Sequence, residues 1–170
     1  TTFFLNHEID TGSIIFQEKE PIHEQDDVGS LYERLMTKGG QLVLKTVRSI
    51  EAGEFPSLPQ TEHTEVKHAP KIFKETCEIN WNQPAKKIVD FVRGLSPYPG
   101  AWTVLNGKMY KILKCEPSVD SRQLTVDCGQ WIMDSGLKIK TTDSWVTILE
   151  FQPEGKKRML VEEFLRGNKI

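Results

Sequence analysis

Asp10 stands in the stretch IDTGSI (9–14), directly after the apolar run TTFFL and before a Thr-Gly turn. A carboxylate at a strand end beside a glycine is placed for acid–base work, because glycine lets the backbone bend tightly enough to expose it. Such a group can hold the tautomer of a neighbouring histidine, stabilise its imidazolium and relay a proton. His7 lies three positions earlier. In an extended strand positions 7 and 10 point to opposite faces, so the two are not expected to form a dyad. Asp10 also has an ordinary reading, as a turn carboxylate that bonds its own backbone.

A second set of chemistry-bearing residues is cationic. PEGKKRM (153–159) puts Lys156, Lys157 and Arg158 side by side on a loop before the last predicted helix. Three adjacent cations can neutralise phosphates and give sequence-independent, salt-dependent affinity. They can equally be a solvated basic helix entry. Lys71, Lys74 and Arg93 would extend such a surface if they shared its face. His63 and His68 have no cysteine or further histidine nearby, so zinc is not expected there and no metal is indicated. Cys77, Cys115 and Cys128 are odd in number, show no CxxC spacing and read as reduced thiols. Cys115 and Cys128 lack an activating neighbour for nucleophilic work. Trp81, Trp102, Trp131 and Trp145 are expected mostly in the core, stacking platforms being the alternative.

These residues must be positioned by a chain of 170 residues, enough for one ordinary domain or two small ones. No run approaches the roughly 18 apolar residues of a membrane span, and no basic-then-apolar leader is present. The first residue is Thr, which suggests a processed chain or an excised piece. The net charge of −2 hides an asymmetry: residues 1–60 carry five Lys/Arg against ten Asp/Glu, and residues 61–170 carry 17 against 14. So weak an excess of positive charge argues little for a polyanion partner.

Residues 1–5 and 13–17 read as strands. Asp26 or Asp27 can cap a helix whose apolar face is Val28, Leu31, Tyr32, Leu35 and Met36. Gly39-Gly40 is expected to interrupt it. Leu42, Val43, Val47 and Ile50 resume the spacing, and Gly53 is placed to end it. Strand, turn, strand and two helical segments are the tail of an α/β sheet, too little to close a core alone. Residues 54–70, with three prolines and no period, read as a linker. Asn82 can then cap a helix with Pro84 in its first turn and Ala85, Ile88, Val89, Val92 and Leu95 buried. From Ala101 the period becomes two, with a hairpin at Asn106-Gly107 and strands at QLTVD (123–127), QWIM, LKIK and WVTILEF. Turns are expected at Asp134-Ser135-Gly136 and Thr142-Asp143-Ser144. About five short strands suggest a small closed barrel, and a helix over 160–166 ends the chain.

Four motifs occur in order: IDTG, APKIFKETCEINW, VRGLSPYPGAWTVLNGKMYKIL and LEFQPEGKKRMLVEEFLRG. Together they resemble the C-terminal half of the methionyl-tRNA formyltransferases, over essentially the whole chain. The resemblance implies an α/β fold followed by a mainly β one. Residues 1–53 would be the C-terminal part of a Rossmann-like catalytic domain, 54–70 a linker, and 71–170 an OB-like small barrel that binds tRNA. It implies transfer of a formyl group from 10-formyltetrahydrofolate to the α-amino group of methionine on initiator tRNA, by a monomeric cytoplasmic enzyme of translation initiation. The family's active site uses an Asn, a His and an Asp. The Asp role carries over to Asp10, and the basic residues Lys156, Lys157 and Arg158 become candidates for tRNA contact. The Asn, the His and most of the folate pocket are expected upstream of Thr1, so this fragment is expected to be inactive alone. The chain departs from the family at Ser13, where Asp is common, and at Tyr98, where Trp is commoner. TTDSWV also lacks the glycine expected in the turn before the final long strand.

Two other readings compete. A related folate-dependent formyltransferase or hydrolase acting on a small molecule would share the first domain, and the basic second part favours tRNA instead. IDTGS also satisfies the aspartic-protease pattern, but that chemistry needs two aspartates sharing a proton. No second DTG exists here, and the helical stretch 28–52 does not suit an all-β lobe.

Overall fold

The computed structural model describes residues 1–60, 69–119, 126–133 and 136–167. Two compact units emerge, one of residues 1–26 and 30–70, the other of residues 27–29 and 71–170.

In the first unit, β1 (Thr2–Phe3) and β2 (Ile14–Phe16) pair antiparallel. Leu58 extends this ribbon: its N–H donates to the Ile14 carbonyl at 2.9 Å and its carbonyl accepts from Ile14 N–H at 2.7 Å. Part of the segment expected as a linker is thus built into the unit; its residues 61–68, with His63 and His68, lie outside the described ones.

Beyond β2 runs α1 (Val28–Glu51), one helix of 24 residues where two segments are expected. Gly39 and Gly40 do not break it. A helix-interior glycine costs only about 0.5–1 kcal/mol relative to alanine, less than the surrounding hydrogen-bond ladder supplies. The end does fall at Gly53, in the left-handed region at φ +70°. There Glu54 N–H donates to the Ser49 carbonyl and Gly53 N–H to the Ile50 carbonyl, the paired bonds of a Schellman end. Of α1's side chains only Leu42 and Thr46 are buried. Thr46 bonds the Thr2 hydroxyl at 2.9 Å. The face expected to be buried is largely open: Tyr32, Leu35, Met36, Val43, Val47 and Ile50 are exposed.

The second unit is a sheet covered by helices. Its strands are β3 (Ala101–Leu105), β4 (Lys108–Ser118), β5 (Trp131–Met133), β6 (Leu137–Lys140), β7 (Trp145–Pro153) and β8 (Met159–Leu160). The order is β3-β4-β7-β6-β5, with β8 also paired to β7 and every named pair antiparallel. Among the described residues the sheet does not close: β3 and β5 end the strand order and β8 pairs only β7, a half-barrel rather than the closed barrel expected. The strand expected at 123–127 and the turn residues 134 and 135 fall wholly or mostly outside the described residues. Asn106 and Gly107, at φ +48° and +73°, make the β3–β4 turn with both central residues left-handed, which suits the strand twist.

Helix α2 (Ala85–Leu95) lays Ala85, Ile88, Val92 and Leu95 into the core, four of the five positions the spacing predicts, with Val89 only half-buried against it. They meet Ile112, Cys115, Val146 and Ile148 from one face of the sheet, and α3 (Val161–Leu165) adds Val161 and Phe164. Phe151, fully buried, stacks on Tyr110 and meets the edge of Phe164. Trp81 and Trp145 are buried, and the Trp81 indole N–H donates to the Thr103 hydroxyl at 2.9 Å.

Asn82 is not the cap of α2. The N-cap position is Pro84, which has no side-chain donor or acceptor, and the capping oxygen comes from 58 residues away: Asp143 Oδ1 accepts from Ala85 N–H at 2.9 Å. That hydrogen bond is the chief cause holding the Asp143 carboxyl below its ordinary value. The TTDS turn that carries it needs no glycine. Buried Thr141 closes it, accepting from Ser144 N–H through its hydroxyl and donating its own N–H to the Ser144 carbonyl.

Candidate functional site

The turn between β1 and β2 carries Asp10. Side chains brace it from within: Asn6 Oδ1 accepts from Glu8 N–H at 3.1 Å and from the Thr11 hydroxyl at 2.7 Å. From outside, Gln60 Nε2 donates to both the Asp10 and the Gly12 carbonyls at 2.8 Å. Asp10 itself occupies the left-handed region at φ +59°, a conformation that non-glycine residues seldom take and that Asp tolerates better than most. Backbone outliers held by their surroundings cluster at functional positions.

Gly12 serves a purpose other than the one expected. A Cβ there would sit 1.5 Å from the Phe4 carbonyl oxygen and 2.6 Å from its carbon. Glycine is required because the chain passes so close to β1's continuation, where Phe4 N–H donates to the Ser13 carbonyl at 2.9 Å. The left-handed bend that presents the carboxylate is made at Asp10.

The Asp10 side chain is exposed and, among the described residues, has no hydrogen-bond or ionic partner. His7, in a bend beyond the end of β1, is exposed too, and no hydrogen bond joins the two. Leu5 and Ile9 flank the turn, each 89% exposed.

Further along the same unit a charge network fastens the loop after β2 onto α1. Arg34 donates Nε to Glu20 Oε1 at 2.7 Å and grips Asp26 with both terminal nitrogens, at 2.8 and 2.6 Å. Lys38 reaches Glu20 Oε2 at 2.6 Å. Asp26 also accepts from His23 N–H and the Ser30 hydroxyl. The Arg34 guanidinium, then the His23 N–H, holds the Asp26 carboxyl well below the usual carboxylate range; the Lys38 ammonium, then Arg34, lowers that of Glu20.

In the second unit the PEGKKRM segment forms the β7–β8 connection, with Gly155 left-handed at φ +71°. Lys156 is tied down by its backbone, its carbonyl accepting from Gln152 Nε2 at 2.8 Å, and its ammonium lies 6.0 Å from the Phe164 ring. Lys157 is exposed and, among the described residues, has no ionic partner. Arg158 is already paired: Nε and Nη2 meet the two oxygens of Glu150 at 2.6 and 2.9 Å. β8 returns antiparallel along β7, with Leu160 opposite Glu150, which brings Arg158 to that carboxylate. Its charge is largely offset within the protein. Arg93, considered above as an extension, faces Asp90 on α2 at 3.6 Å.

Cys77 and Cys115 are buried, and burial pushes the Cys115 thiol up to about 12. Among the described residues no group of three or more His, Cys, Asp and Glu is arranged to hold a metal ion.

Residues 71–169 match the family described as formyl transferase, C-terminal domain. The chain is 44% identical over 176 residues to the methionyl-tRNA formyltransferase of Phocaeicola vulgatus, covering 98% of this chain and 54% of that protein. It is 43% identical to that of Bacteroides thetaiotaomicron, over 100% of this chain and 55% of the relative. The chain thus spans about half the length of the curated relatives it matches. Among solved structures, HypX from Aquifex aeolicus in complex with tetrahydrofolic acid superimposes with a TM-score of 0.67 at 23% identity. It covers 97% of this chain and 30% of HypX, a likeness of fold.

Proposed function

Because the chain belongs to the formyl transferase C-terminal domain family and is similar to methionyl-tRNA formyltransferases over about half their length, we propose that it serves in formyl transfer to methionyl initiator tRNA. In this reading residues 1–53, with Leu58 and Gln60 built onto them, are the end of the catalytic domain, the rest of 54–70 connects, and 71–170 hold the tRNA. The donor substrate is 10-formyltetrahydrofolate, in keeping with the folate named for the HypX structure. The protein, in this reading, acts as a cytoplasmic monomer. On the same reading IDTGS is not an aspartic-protease motif.

The chemistry is acyl transfer to an amine. An α-amino group titrates near 7.7–8.0, so enough neutral nucleophile exists around neutral pH. The amine nitrogen attacks the formyl carbon, and the carbonyl electrons move to oxygen. Collapse breaks the bond to the folate nitrogen, which takes a proton as the new amide nitrogen loses one. The oxyanion needs a fixed donor, the task of the family's Asn or protonated His. Asp10 would orient that His, stabilise its imidazolium and relay the proton.

The observation supporting this role is the bend at Asp10: a left-handed carboxylate, braced through its own carbonyl by Gln60, with its side chain left free to meet a partner. In the full-length enzyme Asp10→Asn is expected to lower turnover at least ~100-fold, the scale of an acid–base contributor, with tRNA affinity unchanged. Turnover within a factor of two of wild type would remove Asp10 from the mechanism.

A further inference from the structure

The basic loop 156–158 is one end of a wider cationic face, and the strand register shows where it continues. In an antiparallel pair, directly opposite residues project to the same side of the sheet. On β7, Phe151 and Pro153 point into the core, so Gln152 and Glu150 point outward. Lys111 of β4 stands opposite Gln152, and Lys114 stands opposite Glu150. Regular alternation would send positions 111 and 114 to opposite faces. An irregularity in the register between Ile112 and Lys114 changes that, and returns Cys115 to the core.

Two rows then cross the outer face. One runs Trp102, Lys111, Gln152 and, through the Gln152 amide, Lys156. The other runs Lys114, Glu150 and Arg158. With strands about 4.8 Å apart the rows span roughly 15 Å from β3 to β8. Lys111, Lys114, Lys156, Lys157 and Arg158 share this side with Glu116, Glu150 and Glu154, and Asp27 also acts on Arg158, so the face keeps a narrow positive excess on a chain whose net charge is −2. Lys114 is exposed and, among the described residues, makes no ion pair. Lys111 is fixed in place by donating Nζ to the Pro99 carbonyl at 2.9 Å.

We infer that this outer face of β4 and β7, with Lys114 and Lys111 beside Lys156 and Lys157, is the surface that meets the phosphodiester backbone of the tRNA. The inference rests on the tRNA reading above and adds the residues that carry the contact. Lysines on paired strands are held at fixed spacing, so they can follow a run of phosphates without reading sequence.

The test uses the full-length protein and uncharged tRNA, with dissociation constants measured across a salt series. Lys114→Glu and Lys157→Glu are each expected to weaken initiator and elongator tRNA alike and to reduce the slope of log K against log salt by about one. The double variant should lose about two. Lys87→Glu, on α2 away from the outer face, should change neither quantity. A Lys114→Glu protein with wild-type melting temperature, affinity and slope overturns the inference. If that variant melts early, Lys114→Gln is read in the same assay, and an unchanged slope there is equally fatal. The activity reading stands apart from this result. A wild-type protein that binds tRNA through Lys114 but transfers no formyl group sinks the activity and keeps the surface. Formyl transfer with a slope indifferent to Lys114 does the reverse.

Discussion

Replacing Gly12 with alanine asks how finely the Asp10 turn must be placed. The added Cβ would lie 1.5 Å from the Phe4 carbonyl oxygen, where real Cβ atoms essentially never come within 3.0 Å. The two chain segments must therefore part by at least about 1.5 Å, beyond the roughly 1 Å misplacement that already costs about 100-fold in rate. Movement of that size also breaks the 2.9 Å bond from Phe4 N–H to the Ser13 carbonyl and pulls the Gly12 carbonyl off Gln60. If Asp10 has the proposed role, the loss is expected in turnover, at least ~100-fold in the full-length enzyme, because the carboxylate is displaced rather than removed. Binding of tRNA, assigned to the second unit, should stay within about twofold, well inside the ~1.4 kcal/mol that a tenfold change represents. Steady-state formyl transfer at saturating donor, with tRNA affinity measured alongside, separates these effects. Wild-type turnover in Gly12→Ala would refute the reasoning, since it would mean that this close backbone approach does not set the position of Asp10.

Two further outcomes are expected. Gly40→Ala should stabilise the protein by about 0.5–1 kcal/mol in chemical denaturation, because the helix is continuous there and a Cβ meets nothing within 4 Å; destabilisation would show that the site is crowded. Asp26 and Glu20 have lowered folded values, so their contribution is complete above the unfolded carboxylate range near 4 and lost as pH falls through the folded values. Asp26→Asn should flatten the acid limb of melting temperature against pH below about 4, and an unaltered limb would count against the network.

Where local chemistry decides, the sequence could be read directly. Asn106-Gly107 makes its hairpin because both residues accept positive φ, and the four apolar positions of α2 fall on one face whatever packs there. Gly39-Gly40 misled for a quantitative reason: two weak propensity terms do not outweigh a ladder already running through them. The rest was set by partners distant in sequence. Asn82 has the chemistry of a cap, but Asp143 holds the position, and no local pattern connects residues 58 apart. Lys111 and Lys114 were missed because period-two alternation assigns them to opposite sides, and the irregular register beside Ile112 is invisible without the facing strand. Arg158 reads as a free cation because nothing local in the sequence places β8 antiparallel along β7, beside Glu150. Asp10 is legible as a turn carboxylate, yet the tight bend expected of Gly12 is made by Asp10 itself in the left-handed region.

The Asp143 carboxylate on the Ala85 amide imposes an order on the chain as it is made. Synthesis delivers the start of α2 long before the oxygen that caps it, so on the ribosome the Ala85 amide is left to water until some sixty further residues have emerged. A nascent chain stalled ahead of the TTDS turn should exchange the Ala85 amide proton with solvent freely, and one released past it should not.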